Sequence, residues 1–315
     1  MTQESEGPPP RRSKRARSRA EFEATVADIE AQVRATNARI EKRTGRNLPL
    51  AILIGLGLGG GLLASLIFLK ALFIPFAALL LVFTAFELAS ALRFAGRDVP
   101  RIPTVIAALA VGPASFYWGA EGHWLITLSG MLLVTLWRIA ESAAPKHRAA
   151  GADLGKDLLA GVFVQAYVVF LGSFAVLLAG QEGGQWWTLG FLIVVISTDT
   201  GAYASGLAFG KHPMAPKISP KKTWEGFAGS VTAAVIAGVL IAIFMIHEPW
   251  WVGIIFGLAI AAAATLGDLT ESLIKRDLGI KDISTWLPGH GGFLDRLDSV
   301  LPSAAVAYAL FLLFT

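Results

Sequence analysis

The chain of 315 residues contains no cysteine. That absence excludes a disulfide framework, a thiolate metal site and a cysteine nucleophile. Charge is scarce as well. Only 16% of residues are Asp, Glu, Lys or Arg, against about 25% in an ordinary soluble domain. Hydrophobic residues make up 54% and the mean hydropathy is +0.60. These values exclude a water-soluble globule, a disordered chain and a fibrous repeat.

The net charge of +4 is a property of one end. Residues 1–46 hold 11 Lys/Arg and 7 Asp/Glu, and the other 269 residues carry 16 of each sign. The basic pI of 9.4 therefore gives no reason to expect a nucleic-acid partner. Met1–Arg19 is polar and basic, and reads as a disordered arm. In Ala20–Arg46, Phe22, Val26, Ile29 and Val33 recur at helical spacing. That pattern predicts an amphipathic helix outside or on the membrane. The domains expected are thus a cytoplasmic extension, 1–46, and a transmembrane catalytic domain, 47–315.

From Leu48 onward one apolar run follows another. A helix needs about 20 mainly apolar residues to cross a bilayer. The runs are long and do not alternate, so helices are expected rather than strands. Nine spans are predicted, at 48–69, 71–92, 102–118, 124–140, 159–180, 186–209, 227–246, 249–267 and 299–315. The fold class is all-α and polytopic. With the N-terminus in the cytoplasm, 15 of the 16 basic residues of the body fall in cytoplasmic connections, and only Lys70 falls outside. The positive-inside rule predicts this bias. The two long cytoplasmic connections, 211–226 and 268–298, are rich in polar residues. Chemistry is therefore expected on the cytoplasmic side of a bacterial cell membrane.

Gly55, Gly57 and Gly60 satisfy G-x-G-x-x-G, but inside an apolar span rather than between a strand and a helix. No dinucleotide site follows. The pairs Gly55/Gly59 and Gly57/Gly61 suggest close helix packing instead, which would permit a homodimer. His123, His147, His212 and His247 lie near span ends without ligand spacing and are read as interfacial. Trp186, Trp187, Trp250 and Trp251 stand where an outer aromatic belt would.

The densest polar segment begins at Asp268. Asp268, Glu271, Ser272 and Lys275 are spaced i, i+3, i+4 and i+7, which is one face of a continuing helix. Carboxylates beside a hydroxyl suit a hard cation such as Mg²⁺. Lys275 and Arg276 suit phosphate oxygens. An ordinary helix end with local ion pairs is the alternative. Further on, Pro288, Gly289, Gly291 and Gly292 shape a turn around His290 that lets the backbone approach a phosphate. Asp295 and Asp298 follow one turn apart, with Arg296 between them. In span six, Asp199 stands among Ser197, Thr198 and Thr200. A carboxylate in an apolar run marks a functional site or a satisfied buried group. Lys221 and Lys222 suit a headgroup or a nucleotide phosphate, or the membrane surface. Glu87 in span two either faces the polar cavity or pairs with a neighbouring helix, and is left out of the catalytic set.

The chain resembles the phosphatidate cytidylyltransferases, also called CDP-diacylglycerol synthases. The resemblance rests on Ser272, Lys275-Arg276, Lys281-Asp282, His290-Gly291-Gly292 and Asp295-Arg296-x-Asp298, in that order. Asp199-Thr-Gly-Ala-Tyr and Ile218-Ser-Pro-Lys-Lys-Thr add to it. The clear resemblance covers about 190–300. One departure is Ser230, where relatives often carry a second glycine.

The resemblance implies that CTP and phosphatidate give CDP-diacylglycerol and pyrophosphate. Two polyanions would then meet at a metal and several cationic groups. Asp268 is the foremost metal ligand expected, with Asp199 and Asp295 next and Glu271 and Asp298 as direct or outer ligands. The cofactor is Mg²⁺, with a second metal ion left open. Lys275, Arg276 and Arg296 would hold triphosphate or headgroup. Ser219, Lys221, Lys222, Ser272 and Lys281 would line the pocket, and His290, Gly291 and Gly292 its nucleotide side. A CTP-dependent kinase of a polyprenol or other lipid alcohol, and a secondary transporter, are the competing readings.

Overall fold

A backbone without water must satisfy its own polar groups, and long apolar runs do so as helices. The computed structural model of the chain describes residues 48–149, 151–284, 286 and 291–315. The basic extension 1–46 and His290 lie outside the described residues. By its contacts the chain divides into residues 1–55 and 56–315. The elements are α1 (Leu48–Ile67), α2 (Phe73–Phe94), α3 (Arg101–Glu141), α4 (Gly151–Val164), α5 (Leu171–Gly180) and α6 (Gly184–Phe209). After them come strands β1 (Pro213–Ala215) and β2 (Ser219–Thr223), then α7 (Trp224–Phe244), α8 (Trp250–Asp277), the short α9 (Leu294–Leu297) and α10 (Val300–Phe314).

Among the described residues, seven helical stretches are long and apolar enough to cross a membrane. The chain is a multi-pass membrane protein, and its described secondary structure is helical apart from one two-stranded antiparallel hairpin. That hairpin was not expected from the sequence. It occupies the polar connection after α6, where no apolar run dictates a helix. Thr223 ends β2 and caps α7, its hydroxyl accepting the Gly226 N–H at 3.1 Å.

α3 is interrupted at Gly119, which has φ 63° and ψ −146°. This conformation is essentially confined to glycine. The two arms fold back on each other. A Cβ on Gly130 would stand 2.8 Å from the Cβ of Ala107, and Ser115 hydrogen-bonds His123 across the bend at 3.2 Å. The break falls between the two runs predicted at 102–118 and 124–140. α4 joins α5 through a π-helical turn, Gln165–Phe170.

In unit 56–315, one core gathers side chains of α2, α5, α6, α7, α8 and α10, including Phe191, Phe256, Ile260 and Ala304. A second joins α2, α3, the π-helical turn, α9 and the start of α10, through Leu88, Val111, Val168, Leu294 and Leu301. The outward surface is apolar too, with Leu109, Leu128, Leu132 and Leu240 exposed. Such faces suit lipid rather than water.

Several sequence-based readings change. His123 is fully buried, not interfacial, and lies 3.2 Å from both Ser115 Oγ and Ser173 Oγ. Trp187 turns inward onto Phe256 and Phe311 instead of joining a belt. Among the described residues Gly57 and Gly59 meet no atom within 4 Å of a Cβ position, so they pack no other helix of the same chain there, whereas Gly61 meets the Phe76 ring at 3.3 Å. The close glycine contacts instead join α7 to α8, where a Cβ on Gly238 would stand 3.0 Å from the backbone nitrogen of Gly257. Arg138 is not a loop charge. It is 1% exposed, and its Nη2 lies 2.7 Å from Asp157 Oδ2.

Candidate active site

Helical periodicity places Asp268, Glu271, Ser272 and Lys275 on one face at the polar end of α8, as their spacing predicts. Lys275 Nζ meets Glu271 Oε2 one turn away at 2.6 Å. Ser272 Oγ lies 3.5 Å from Asp268 Oδ1, at the outer limit of a hydrogen bond.

α9 and the first turn of α10 bring the second half of the motif to this face. Lys275 Nζ also reaches Asp295 Oδ1 at 2.9 Å, so one ammonium links α8 to α9. Asp298 is fixed by a hydrogen bond from the Ser299 N–H to its Oδ1, 2.7 Å long. The approach of the two segments depends on Gly267. A Cβ there would stand 2.8 Å from Pro302 Cγ and 3.0 Å from the Asp298 carbonyl carbon.

Asp268, Glu271 and Asp298 each offer a carboxylate oxygen, and these oxygens lie within 4.8 Å of one another. Oxygen donors at this spacing fit a hard cation. Glu271 adds a second indication. It is 1% exposed, one oxygen faces Lys275, and Oε1 has no hydrogen-bond partner by geometry among the described residues. Leaving a buried carboxylate oxygen without a partner is costly, and a cation would satisfy it. The trio contains Asp298, whereas Asp295 is engaged by Lys275 and by the Gly292 N–H at 2.7 Å. Asp199, on α6, interacts electrostatically with Asp268, Lys222 and Arg296.

The β-hairpin supplies a further cation. Lys222 Nζ lies 2.5 Å from Asp268 Oδ2. Lys221, adjacent on the strand, is exposed. Arg276 Nε donates to the Ile218 carbonyl at 3.2 Å and ties the end of α8 to the hairpin. Ser219 is half-buried at the start of β2, and Lys281 is exposed on the loop after α8.

Glu87 was omitted from the sequence-based set, and its role is now visible. It is 2% exposed, accepts the Leu294 N–H at 2.8 Å and the Phe293 N–H at 3.3 Å, and bonds the Ser284 hydroxyl. It therefore caps α9 from α2 and anchors the connection that follows α8. Gly292 has no room for a side chain, because a Cβ would stand 2.7 Å from Glu87 Cδ. Phe83 reinforces the contact by stacking on Phe293 at 4.9 Å and meeting Trp286 edge-on at 5.9 Å. The signal in the sequence was the carboxylate itself, since an ionisable residue in an apolar span needs a partner.

The profile of the cytidylyltransferase family matches residues 50–314. The chain is 40% identical over 272 residues to the phosphatidate cytidylyltransferase of Mycobacterium bovis, covering 84% of this chain and 89% of that protein. It is 38% identical over 276 residues to that of Mycobacterium leprae, covering 85% and 88%. A shorter match to the enzyme named likewise in Brucella suis is 41% identical over 150 residues, which is 47% of this chain and 54% of that one. The fold and site define a membrane nucleotidyltransferase. The chain belongs to the cytidylyltransferase family, among proteins named phosphatidate cytidylyltransferase.

Proposed function

We propose that this protein transfers the cytidylyl group of CTP to phosphatidate, giving CDP-diacylglycerol and pyrophosphate. Family membership supports the reaction. The observation that carries it to particular residues is the convergence of Asp268, Glu271 and Asp298 beside Lys222 and Lys275.

A phosphatidate phosphate oxygen attacks the α-phosphorus of CTP. The new oxygen–phosphorus bond forms as the bond to the β-phosphate oxygen breaks, and pyrophosphate leaves with that electron pair. A phosphomonoester is largely ionised near neutral pH, with a second pKa of about 6. The acceptor therefore needs neither a side-chain nucleophile nor a strong base. The difficulty is holding two polyanions together in line. Lys275, kept in place by Glu271 and Asp295, sets one positive charge beside the reacting phosphates. Lys222, Arg276 and Arg296 surround the same region, with Ser219, Ser272, Lys221 and Lys281 contributing at its margin. His290, Gly291 and Gly292 belong to the nucleotide side. Asp268, Glu271 and Asp298 would hold Mg²⁺, with Asp199 and Asp295 as further ligands if a second ion binds. Bound there, the metal would offset phosphate charge and orient the oxygens.

Nine crossings fit the arms of α3 taken singly together with α1. The N-terminus and the active site then face the cytoplasm, where the loop lysines and arginines concentrate. Residues 1–46 form an accessory cytoplasmic extension, and 47–315 the catalytic domain. No nucleic-acid partner is proposed. A homodimer is, since Gly57 on α1 has open space at its Cβ position.

Purified protein given labelled CTP and phosphatidate should yield a CDP-lipid only when Mg²⁺ is present. Failure to form any CDP-lipid would sink this reading, and labelled phosphate appearing on a prenol would favour the lipid-alcohol kinase.

A further inference from the structure

Within unit 56–315 lies a cavity of about 210 Å³ whose walls are almost wholly apolar. Gly59 and Leu62 of α1, Ala77 of α2, Gly172 of α5 and Leu192 of α6 contribute to it. Arg296 is the sole charged residue on its described wall. The same Arg296 stands on α9 between Asp295, which binds Lys275, and Asp298, which completes the acidic trio. The cavity thus borders the active site at Arg296 and is otherwise walled by hydrocarbon.

That polarity suits one of the two substrates and not the other. A nucleoside presents hydrogen-bonding groups on its base and ribose, which apolar walls would leave unsatisfied at considerable cost. A phosphate-bearing lipid offers an anion at one end and methylenes beyond it. Resting on the cytidylyltransferase reading above, we propose that this cavity receives an acyl chain of phosphatidate while Arg296 meets its phosphate.

The cavity acts by shape more than by hydrophobic gain. An acyl chain leaving the bilayer is already in an apolar medium, so its transfer into the protein gains little from desolvation. What the walls can do is fix the position of the chain, and with it the phosphate, and reject chains that do not fit. Gly59 is the place to alter that fit. It lines the cavity, and a Cβ on it meets nothing within 4 Å. The first carbon of a side chain there displaces no neighbour, so leucine is the substitution chosen to fill the cavity. Gly172 would be a poor choice, because its Cβ would stand 2.8 Å from Leu301 Cδ2.

The test compares the full-length protein with Gly59→Leu in micelles, using phosphatidates that differ only in chain length. With dioleoyl phosphatidate the variant should lose about tenfold or more in kcat/KM, while with dioctanoyl phosphatidate it should stay within about twofold of the parent. The KM for CTP should not move. An equal effect on both lipids, including no effect, overturns the proposal. A second measurement uses the unaltered protein and a phosphatidate bearing a diazirine near the chain end. Photolabelling should mark peptides around Leu62 or Ala77, and labelling that misses both overturns the assignment. If the unaltered protein makes no CDP-lipid from any phosphatidate, the functional reading itself fails. If it does and the labelling misses the cavity, only the assignment of the cavity fails.

Discussion

Two kinds of carboxylate meet at the site, and substitution should separate them. Asp268 and Asp298 belong to the trio whose oxygens converge, so Asp268→Asn or Asp298→Asn removes a negative donor where a hard cation would bind. Turnover should fall to background in either variant, while the melting temperature of the purified protein stays close to the parent. Near-normal turnover by Asp268→Asn would remove that residue from the metal site. Glu87 differs, because it touches backbone N–H groups of Phe293 and Leu294 and not the trio. Glu87→Gln keeps the shape but turns one acceptor into a donor facing a buried N–H, a cost of about 1–3 kcal/mol. A loss of about tenfold or more in kcat/KM should follow, with Glu87→Ala worse than Glu87→Gln. A positioning role predicts that graded order. Equal and complete loss in both variants would instead indicate direct participation in the chemistry.

Elements depend on contacts that join them far from the site. Arg138, near the end of α3, donates to Asp157 of α4 through Nε at 3.2 Å and Nη2 at 2.7 Å, and Nη1 donates to the His147 carbonyl at 3.1 Å. Both charges are nearly inaccessible, at 1% and 5% exposure. Removing one partner strands the other, which typically costs about 3–5 kcal/mol. Arg138→Met should therefore lower the melting temperature sharply. Adding Asp157→Asn should recover most of the loss, since asparagine leaves no unpaired charge and still accepts the Asp98 N–H, now 3.0 Å from Asp157 Oδ1. If the double variant is no more stable than the single one, the ion pair does not hold α3 to α4.

The elements also show what the sequence could reveal. The face of Asp268, Glu271, Ser272 and Lys275 was legible because helical geometry fixes neighbours three and four residues apart. The break in α3 was legible because the apolar pattern lapses around Gly119. Lys222 on Asp268 and Glu87 on α9 join segments distant in the chain, and periodicity says nothing about such pairs. Arg138 was misread for a related reason. Its partner lies in another helix, so sequence alone made it a loop cation.

For the whole molecule, the open question is the side on which each connection lies. In the proposed topology the N-terminus and the active site face the cytoplasm, as the loop charges favour, and the bend at Gly119 makes the proposed count odd. If the two arms of α3 each cross, residues near the bend lie on the opposite side from residues after Glu141. The lack of cysteine makes this directly measurable, because any introduced thiol is the only one in the chain. Glu121, Ala143, Glu182 and Lys217 are all exposed and lie in four successive connections. A membrane-impermeant maleimide added to intact cells should label Glu121→Cys and Glu182→Cys. It should reach Ala143→Cys and Lys217→Cys only after permeabilisation. Labelling of Glu121→Cys together with Ala143→Cys would mean that α3 does not cross twice, and the inside and outside assignments downstream of it would have to be exchanged. Reaction at Lys217→Cys in intact cells would move the β-hairpin, and with it Lys222 and the trio it touches, to the outer side. No supply of cytoplasmic CTP would reach the site in that orientation, so this single position tests topology and function together.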